Sequence, residues 1–178
     1  MGVMNLVRPL KALIVGIVCL FIVITLFSLV IPSNIKVSRV TVINNVTPAA
    51  VYEQISNLRN WKNWHPVFKS DSAIVSFTDP FKNACDISYN GTTTHVAITS
   101  LSAQQVNLLL LSQKQNDINV EIHLTNLSGQ QSVQVEWRAL TKLNWYPWEK
   151  FFGIFLDKLS GPGYEAALTG LKDFLESK

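Results

Sequence analysis

The stretch from Ala12 to Val30 constrains this chain more than any other feature. It carries no charged residue, and fourteen of its residues are Leu, Ile, Val or Phe. A helix rises about 1.5 Å per residue, so roughly 20 such residues cross the roughly 30 Å hydrocarbon core of a bilayer. The apolar side chains favour insertion by at most about 4 to 8 kcal/mol. Pro32 stands where such a helix should end. The sequence therefore predicts one transmembrane helix near the N-terminus.

Two other interpretations of this stretch fit less well. A cleaved signal peptide has a shorter apolar region, about 7–15 residues, and a cleavage site of small residues, which Val30-Ile31-Pro32-Ser33 matches poorly. A core helix of a globular protein has a polar side, and this stretch has none. We therefore expect residues 1–33 to form a retained anchor and residues 34–178 to form one domain, with residues 12–30 in the membrane.

The side of the membrane on which the domain lies is predicted from weaker signals. Arg8 and Lys11 precede the span, whereas Lys36 and Arg39 follow it, so the positive-inside rule is nearly tied. A short leader before a first span usually stays in the cytoplasm. We therefore expect a single-pass protein of a bacterial cytoplasmic membrane, with the domain on the outer side.

Composition excludes several classes of function. The net charge is +3, and the Lys and Arg residues are scattered rather than gathered into a basic stripe, so we expect no nucleic-acid partner. Cys85 is the one cysteine outside the anchor, which excludes an internal disulfide in the domain. The motifs C-x-x-C, H-E-x-x-H, G-x-G-x-x-G and the P-loop are absent. We expect neither a metal nor an organic cofactor.

The domain opens with a strand and a capped helix. Ile35–Asn45 is rich in branched residues and predicts a strand. Thr47 followed by Pro48 is typical of a helix start, and Val51, Ile55 and Leu58 then recur at helical spacing. Residues 60–66 predict a second short helix or turn that ends at Pro66.

From about residue 73 to residue 143 the pattern alternates every second residue. Asn90-Gly91 indicates a tight hairpin, and residues 95–101 and 105–112 predict two further strands. In the next two strands the apolar residues fall on one side: Ile118, Val120, Ile122 and Leu124, then Val133, Val135, Trp137 and Ala139. A sheet with one apolar side predicts a cover on that side.

The last segment returns to helical spacing. Tyr164, Leu168, Leu171 and Leu175 form one stripe, and Gly161-Pro162-Gly163 predicts a break or kink before it. The order of elements predicts an α+β domain in which a curved antiparallel sheet wraps a long C-terminal helix.

Three segments resemble the START-like helix-grip superfamily, in particular its polyketide cyclase/dehydrase-type lipid-binding branch, SRPBCC. Residues 48–55 are similar to its first helix, and Asn60-Trp61-Lys62-Asn63-Trp64-His65-Pro66 is similar to its W-x-x-W-x-P segment. Residues 161–172 resemble its terminal helix, with Ala167 where Gly is common. The resemblance implies an apolar cavity between the sheet and the final helix. The superfamily contains both carriers and enzymes, so it specifies the fold rather than the function.

The same cavity follows from the residues, because one helical stripe cannot fill the concave side of a six- or seven-stranded sheet. Its expected lining residues are Trp64, Tyr89, Val120, Ile122, Val135, Trp137, Phe155 and Leu168.

Three sets of residues allow more than one interpretation. Trp61 and Trp64, three residues apart, form a pocket rim, a membrane-interface contact or core, and core is favoured. Residues 145–148, Trp-Tyr-Pro-Trp, form either a packed corner, which we favour, or a contact with the bilayer surface. His65, His95 and His123 lack metal-ligand spacing, no Asp or Glu is placed to complete a constellation with them, and we expect them to be surface or loop residues.

These features favour binding over catalysis, with no catalytic residue assigned. A cyclase or hydrolase needs an acid or base at its substrate, and the expected lining is almost wholly apolar. The first hypothesis is a membrane-anchored domain that binds a hydrophobic small molecule or lipid. The alternatives are a polyketide cyclase/dehydratase-like enzyme that uses Tyr89 with a loop acid such as Asp79, and a membrane-tethered protein-interaction module.

Overall fold

The computed structural model describes residues 3–78, 83–113, 115–127 and 131–177. They form two compact units. The first comprises Met1–Ser33 and Leu143–Phe155, and the second comprises Asn34–Lys142 and Leu156–Lys178. The sequence-based boundary between an anchor, residues 1–33, and a domain, residues 34–178, stays a prediction.

The first unit is built on helix α1, Val3–Val30. Its portion Pro9–Val30 has 22 residues and a mean hydropathy of 3.1, which is long and apolar enough to cross a membrane, a property shared with signal sequences. The large apolar side chains from Leu10 to Val30 are exposed. A short helix, α4, Pro147–Gly153, packs against α1.

Lys150 ties α4 to the end of α1. Its side chain is only 4% exposed, and its Nζ donates to the carbonyl of Ile31 at 2.8 Å and to the hydroxyl of Ser33 at 2.5 Å. The backbone N–H of Leu143 also donates to the carbonyl of Ser33 at 2.7 Å. Carbonyls past a helix end lack intrahelical partners, and these bonds satisfy two of them.

The second unit contains one antiparallel sheet of seven strands within the described residues. The strands are β1 Asn34–Asn44, β2 Ile74–Phe77, β3 Ala84–Tyr89, β4 Thr92–Ser102, β5 Gln105–Ser112, β6 Gln115–Leu127 and β7 Ser132–Lys142. Their order is β1-β7-β6-β5-β4-β3-β2. The hairpin at Asn90-Gly91 is confirmed, and both residues have positive φ, as a two-residue turn of this kind requires.

The first helix of this unit begins where Thr47 and Pro48 indicate, whereas Pro66, the expected end of the second short helix, begins a further helical turn. Helix α2, Pro48–Ile55, is capped by the Thr47 side chain, which accepts from the N–H of Ala50. A 3₁₀ helix follows at Leu58–Asn63, then a single helical turn, α3, Pro66–Lys69. Helix α5, Leu156–Glu176, closes the unit against β1 and β7.

The predicted break at Gly161-Pro162-Gly163 is wrong, because α5 continues through it. Packing explains one of these glycines. A Cβ on Gly161 would lie 2.0 Å from Nη2 of Arg39, so the missing side chain leaves room for that guanidinium. Arg39 in turn pairs with Asp157 on the first turn of α5 at 2.8 Å. Gly161 therefore allows the Arg39 side chain of β1 to lie against the surface of a continuous helix.

The alternation predicted for β6 and β7 is confirmed. Val120, Ile122, Val135 and Trp137 are each at most 3% exposed and belong to one core cluster with Leu168 and Leu171 of α5. The opposite side of these strands carries a polar network in which Arg138 binds Glu136 at 2.6 Å. That contact lowers the pKa of Glu136 to about 2, the Arg138 hydrogen bonds being the main cause.

Candidate ligand cavity

A cavity of about 430 Å³ opens within the second unit, between the concave side of the sheet and α5. Three groups of residues line it. The segment after α2 contributes Trp61, His65, Val67 and Phe68. Helix α5 contributes Gly163 and Tyr164. The sheet and its hairpins contribute Ile87, Tyr89, Asn90, Thr92, Thr94, Val96, Leu108, Leu110, Gln115, Val120 and Trp137.

The period of the strands explains which sheet residues reach the cavity. Thr92, Thr94 and Val96 alternate along β4, and Leu108 and Leu110 do the same along β5. Successive side chains of a strand point to opposite faces, so each strand gives the cavity every second residue. The part of the lining that β4 and β5 provide therefore follows from the alternation of side chains along each strand.

Polarity varies along the cavity in a regular way. The polar lining residues Asn90, Thr92 and Gln115 lie at the β3–β4 and β5–β6 hairpins. The register places these two hairpins at the same end of the sheet, since Thr94 pairs with Ser112 and Ser112 pairs with Gln115. Tyr89 at this end is 40% exposed, whereas Val96, Leu108 and Val120 further along are at most 3% exposed. The cavity thus has a polar mouth and an apolar interior.

Aromatic rings form one wall of the interior. Trp61 stacks on His65 with ring centroids 5.1 Å apart, and it lies 5.7 Å from Trp137. Trp137 stacks on Tyr164 of α5 at 5.8 Å. Phe68 completes the group at 5.4 Å from Trp61. Such rings offer a broad apolar surface to a ligand at little conformational cost.

His65 lies in a loop, as expected, with its ring turned inward. The residue as a whole is partly exposed, but its Nδ1 is buried and has no hydrogen-bond partner among the described residues. Burial lowers the pKa of His65 to about 4, because the charged form loses its hydration. Trp61 stacks on the ring, and Pro66 starts α3 directly after it. At neutral pH this histidine is uncharged.

The indole nitrogens of the three buried tryptophans, in and behind the wall, fall into two kinds. Trp61 Nε1 donates to the carbonyl of Ile55 at 3.2 Å, and Trp64 Nε1 donates to the carbonyl of Gln54 at 3.4 Å. Trp137 Nε1 is buried and, in the described part of the chain, has no partner. Two lining residues, His65 and Trp137, therefore carry a buried polar atom that the protein leaves unpaired.

The structure places the eight residues expected to line the cavity in three groups. Tyr89, Val120 and Trp137 line it. Trp64, Ile122, Val135 and Leu168 are buried within the surrounding core instead, with Trp64 replaced at the cavity by its neighbours Trp61 and His65. Phe155 is 53% exposed and belongs to the first unit, so its place at the cavity stays a prediction. It precedes the first turn of α5, outside the helical stripe that packs on the sheet.

The other two histidines are partly exposed on the opposite side of the sheet, and each has one acidic neighbour. His95 Nδ1 lies 2.6 Å from Asp86, and His123 Nε2 lies 3.3 Å from Glu121. Both pairs lie on the strand positions that alternate away from the cavity. Within the described residues no cluster of three His, Cys, Asp or Glu residues has the arrangement of a metal site.

The groups near the cavity that titrate are held in their neutral forms. Burial raises the pKa of the Cys85 thiol to about 11, and it also raises the pKa of Tyr164. A thiol with such a pKa is a poor nucleophile at neutral pH. Asp79, the loop acid considered for catalysis, lies outside the described residues.

Comparison with known proteins defines the fold. No protein-family model matches the chain, and no curated protein matches it. An uncharacterised protein of Bacillus thuringiensis has a TM-score of 0.57 at 12% identity, and the match covers 78% of this chain and 96% of that one. CalU16 from Micromonospora echinospora has a TM-score of 0.51 at 12% identity over 80% of this chain and 75% of that one.

DynU16, a protein of the dynemicin biosynthetic locus, has a TM-score of 0.55 at 12% identity, over 79% of this chain and 47% of that one. At such identities the likeness concerns architecture alone. The fold is the predicted α+β helix-grip fold, a seven-stranded antiparallel sheet on a long C-terminal helix, with an apolar helix before it.

Proposed function

We propose that this chain is a membrane-anchored member of the SRPBCC branch that binds a hydrophobic small molecule or lipid in the cavity, without catalysis. One observation carries the proposal: a cavity of about 430 Å³ whose described lining residues include no carboxylate, Lys or Arg. Sites for small apolar molecules have this size and lining. DynU16, a protein of the dynemicin biosynthetic locus, has a similar fold.

The anchor gives this binding a location. Helix α1 would hold the domain at the bilayer, where apolar molecules are concentrated, and so raise the effective concentration of the ligand. We propose that the domain faces the outer side of the membrane.

Native mass spectrometry of the full chain, released from detergent micelles, tests the binding. The wild type should carry a bound apolar molecule. Gly163→Phe should lose it, because Gly163 lines the cavity and a Cβ there meets no atom within 4 Å, leaving the ring free to enter. Ala166→Phe, at an exposed position of α5, is the matched control and should retain the ligand. A wild-type chain that carries no molecule and takes up none from lipid vesicles would disprove the proposal.

The anchor is tested separately. After alkaline extraction of membranes, the chain should stay in the pellet with an intact mass of 19.9 kDa. A soluble product that begins near residue 33 would show that the first helix is a cleaved signal. External protease should digest the domain in intact spheroplasts, and protection there would place it on the cytoplasmic side.

A further inference from the structure

Residues 145–155 of the first unit, named the aromatic segment from here on, leave large apolar side chains exposed. The exposed fractions are 65% for Trp145, 63% for Trp148, 53% for Phe152, 58% for Ile154 and 53% for Phe155. The packed corner expected for Trp145 and Trp148 is therefore wrong. We propose that the aromatic segment lies in the interfacial region of the bilayer, in contact with lipid. This proposal rests on the membrane anchor of the proposed function.

Helix α4, the regular part of the aromatic segment, turns its apolar residues outward. Its buried residues are Pro147, Lys150 and Gly153, which recur every third position and include the one lysine of the segment. Trp148 and Phe152, four residues apart, are both exposed. A surface helix of a globular protein has the opposite arrangement, with its large apolar residues turned inward. The pattern of α4 is typical of a helix whose outer side meets an apolar environment.

The rings at the start of the aromatic segment stack on one another. The ring centroid of Tyr146 lies 5.1 Å from that of Trp145 and 5.1 Å from that of Trp148. The planes of Tyr146 and Trp148 are only 3° apart. This stacking leaves both indoles more than 60% exposed, so three rings already ordered by one another face the surroundings of the unit.

The charges of the aromatic segment are turned towards the protein. Its charged residues are Glu149 and Lys150. Lys150 is 4% exposed, and the Glu149 carboxylate accepts from the backbone N–H and the side-chain amide of Asn144. Exposed charges would oppose contact with the apolar part of a bilayer. The exposed side of the segment is therefore compatible with lipid.

The attachment of the aromatic segment to α1 sets its depth in the membrane. The apolar portion Pro9–Val30 has 22 residues and a length of about 33 Å, which matches the roughly 30 Å hydrocarbon core and places Val30 near one boundary. Lys150 binds the Ile31 carbonyl and the Ser33 hydroxyl directly after that end. Trp and Tyr concentrate at this depth, because an apolar ring with a polar atom suits the interface.

The neighbouring surface of α1 favours lipid over a protein partner. Helix α4 packs against α1 within the same compact unit. At that end of α1 the side chains of Phe27, Leu29 and Val30 are 66%, 64% and 81% exposed. These side chains face lipid when α1 spans the bilayer, and the aromatic segment extends the same apolar surface.

Lipid-borne quenchers test the contact. The full chain is placed in phosphatidylcholine vesicles brominated at carbons 6 and 7, near the interface, or at carbons 11 and 12, near the bilayer centre. All five tryptophans lie outside α1, so their fluorescence reports the rest of the molecule. Part of the wild-type emission should be quenched, more strongly by the 6,7-bromines. Trp145→Phe combined with Trp148→Phe should abolish that quenching.

Trp64→Phe is the matched control, because it removes an indole that is 1% exposed. The quenching by the 6,7-bromines should persist in this variant. Near-ultraviolet circular dichroism in unbrominated vesicles checks that each variant is folded, and Trp61→Phe replaces the control if Trp64→Phe is not. Both leaflets carry bromine, so the direction of insertion does not affect the result.

Alkaline extraction of the same vesicles separates this proposal from the anchor. A chain that resists extraction but shows no quenching would overturn the lipid contact, favour a protein partner and leave the anchor intact. Quenching that survives the double variant, or that is strongest with the 11,12-bromines, would also overturn the interfacial contact. A chain released by alkali whose quenching depends on Trp145 and Trp148 would support the contact and overturn the anchor. Release without quenching would overturn both.

Discussion

The two groups of tryptophans in this chain lie in opposite environments. Trp61, Trp64 and Trp137 of the second unit are at most 3% exposed, whereas Trp145 and Trp148 of the first unit are more than 60% exposed. The sequence marks both groups only as aromatic clusters. Their burial shows that the first group is part of the interior, whereas the second group leaves its apolar area exposed. The same residue type thus marks a cavity wall in one unit and a proposed lipid contact in the other.

The largest expected contrast concerns stability. Trp64→Ala should lower the free energy of unfolding by about 3–5 kcal/mol, because it empties a fully buried site and removes the bond to the Gln54 carbonyl. Trp148→Ala should change it by less than about 0.5 kcal/mol. Urea unfolding in mild detergent, followed by near-ultraviolet circular dichroism, measures both. Similar losses of stability for the two variants would contradict the distinction between buried and exposed tryptophans.

A second prediction concerns the pH dependence of the buried wall. The folded pKa of His65, about 4, lies below its ordinary value of 6.5, so the folded state disfavours protonation. The contribution of neutral His65 to the free energy of unfolding should be fully present above pH 6.5. The free energy of unfolding should fall by about 3 kcal/mol in total as the pH drops towards 4. His65→Leu should flatten that part of the stability–pH curve, measured by urea unfolding at several pH values. An unchanged slope in the variant would show that another group titrates.

The smallest expected changes in stability concern two glycines of α5, Gly163 and Gly170. A Cβ on Gly170 would lie 2.3 Å from the backbone carbonyl of Trp64, so Gly170→Ala should destabilise the fold by about 1–3 kcal/mol. At Gly163 a Cβ meets no atom within 4 Å, so Gly163→Ala should stabilise the helix by about 0.5–1 kcal/mol. Thermal unfolding compares the two. Equal shifts of Tm would show that helix propensity alone governs both positions.

Strands β6 and β7 were predictable because each has one apolar side. The period-two pattern from Ile118 to Ala139 specified which residues face the core, and Asn90-Gly91 specified a hairpin by its backbone requirements. The stripe Tyr164, Leu168, Leu171 and Leu175 specified a closing helix. Such local patterns report burial directly, so the fold class followed from them and from the family resemblance.

The details of the cavity were less accessible, because they depend on packing between distant segments. His65 turns inward since Trp61 stacks on it, a contact that no local pattern encodes. The Gly-Pro-Gly motif suggested a break, whereas the space it provides for Arg39 is visible only with β1 in place. Unpaired nitrogens on His65 and Trp137 likewise emerge only once every possible partner has a position.

The contact between Gly161 and Arg39 has a consequence for how such chains can diverge. With 2.0 Å between an added Cβ and the guanidinium, any side chain at position 161 would displace the far end of Arg39. In a relative with a larger residue at position 161, the guanidinium would have to move or position 39 would hold a shorter residue, and the contact with Asp157 would be weakened or lost. These three positions should therefore co-vary in the history of the lineage, and a set of related sequences would reveal it.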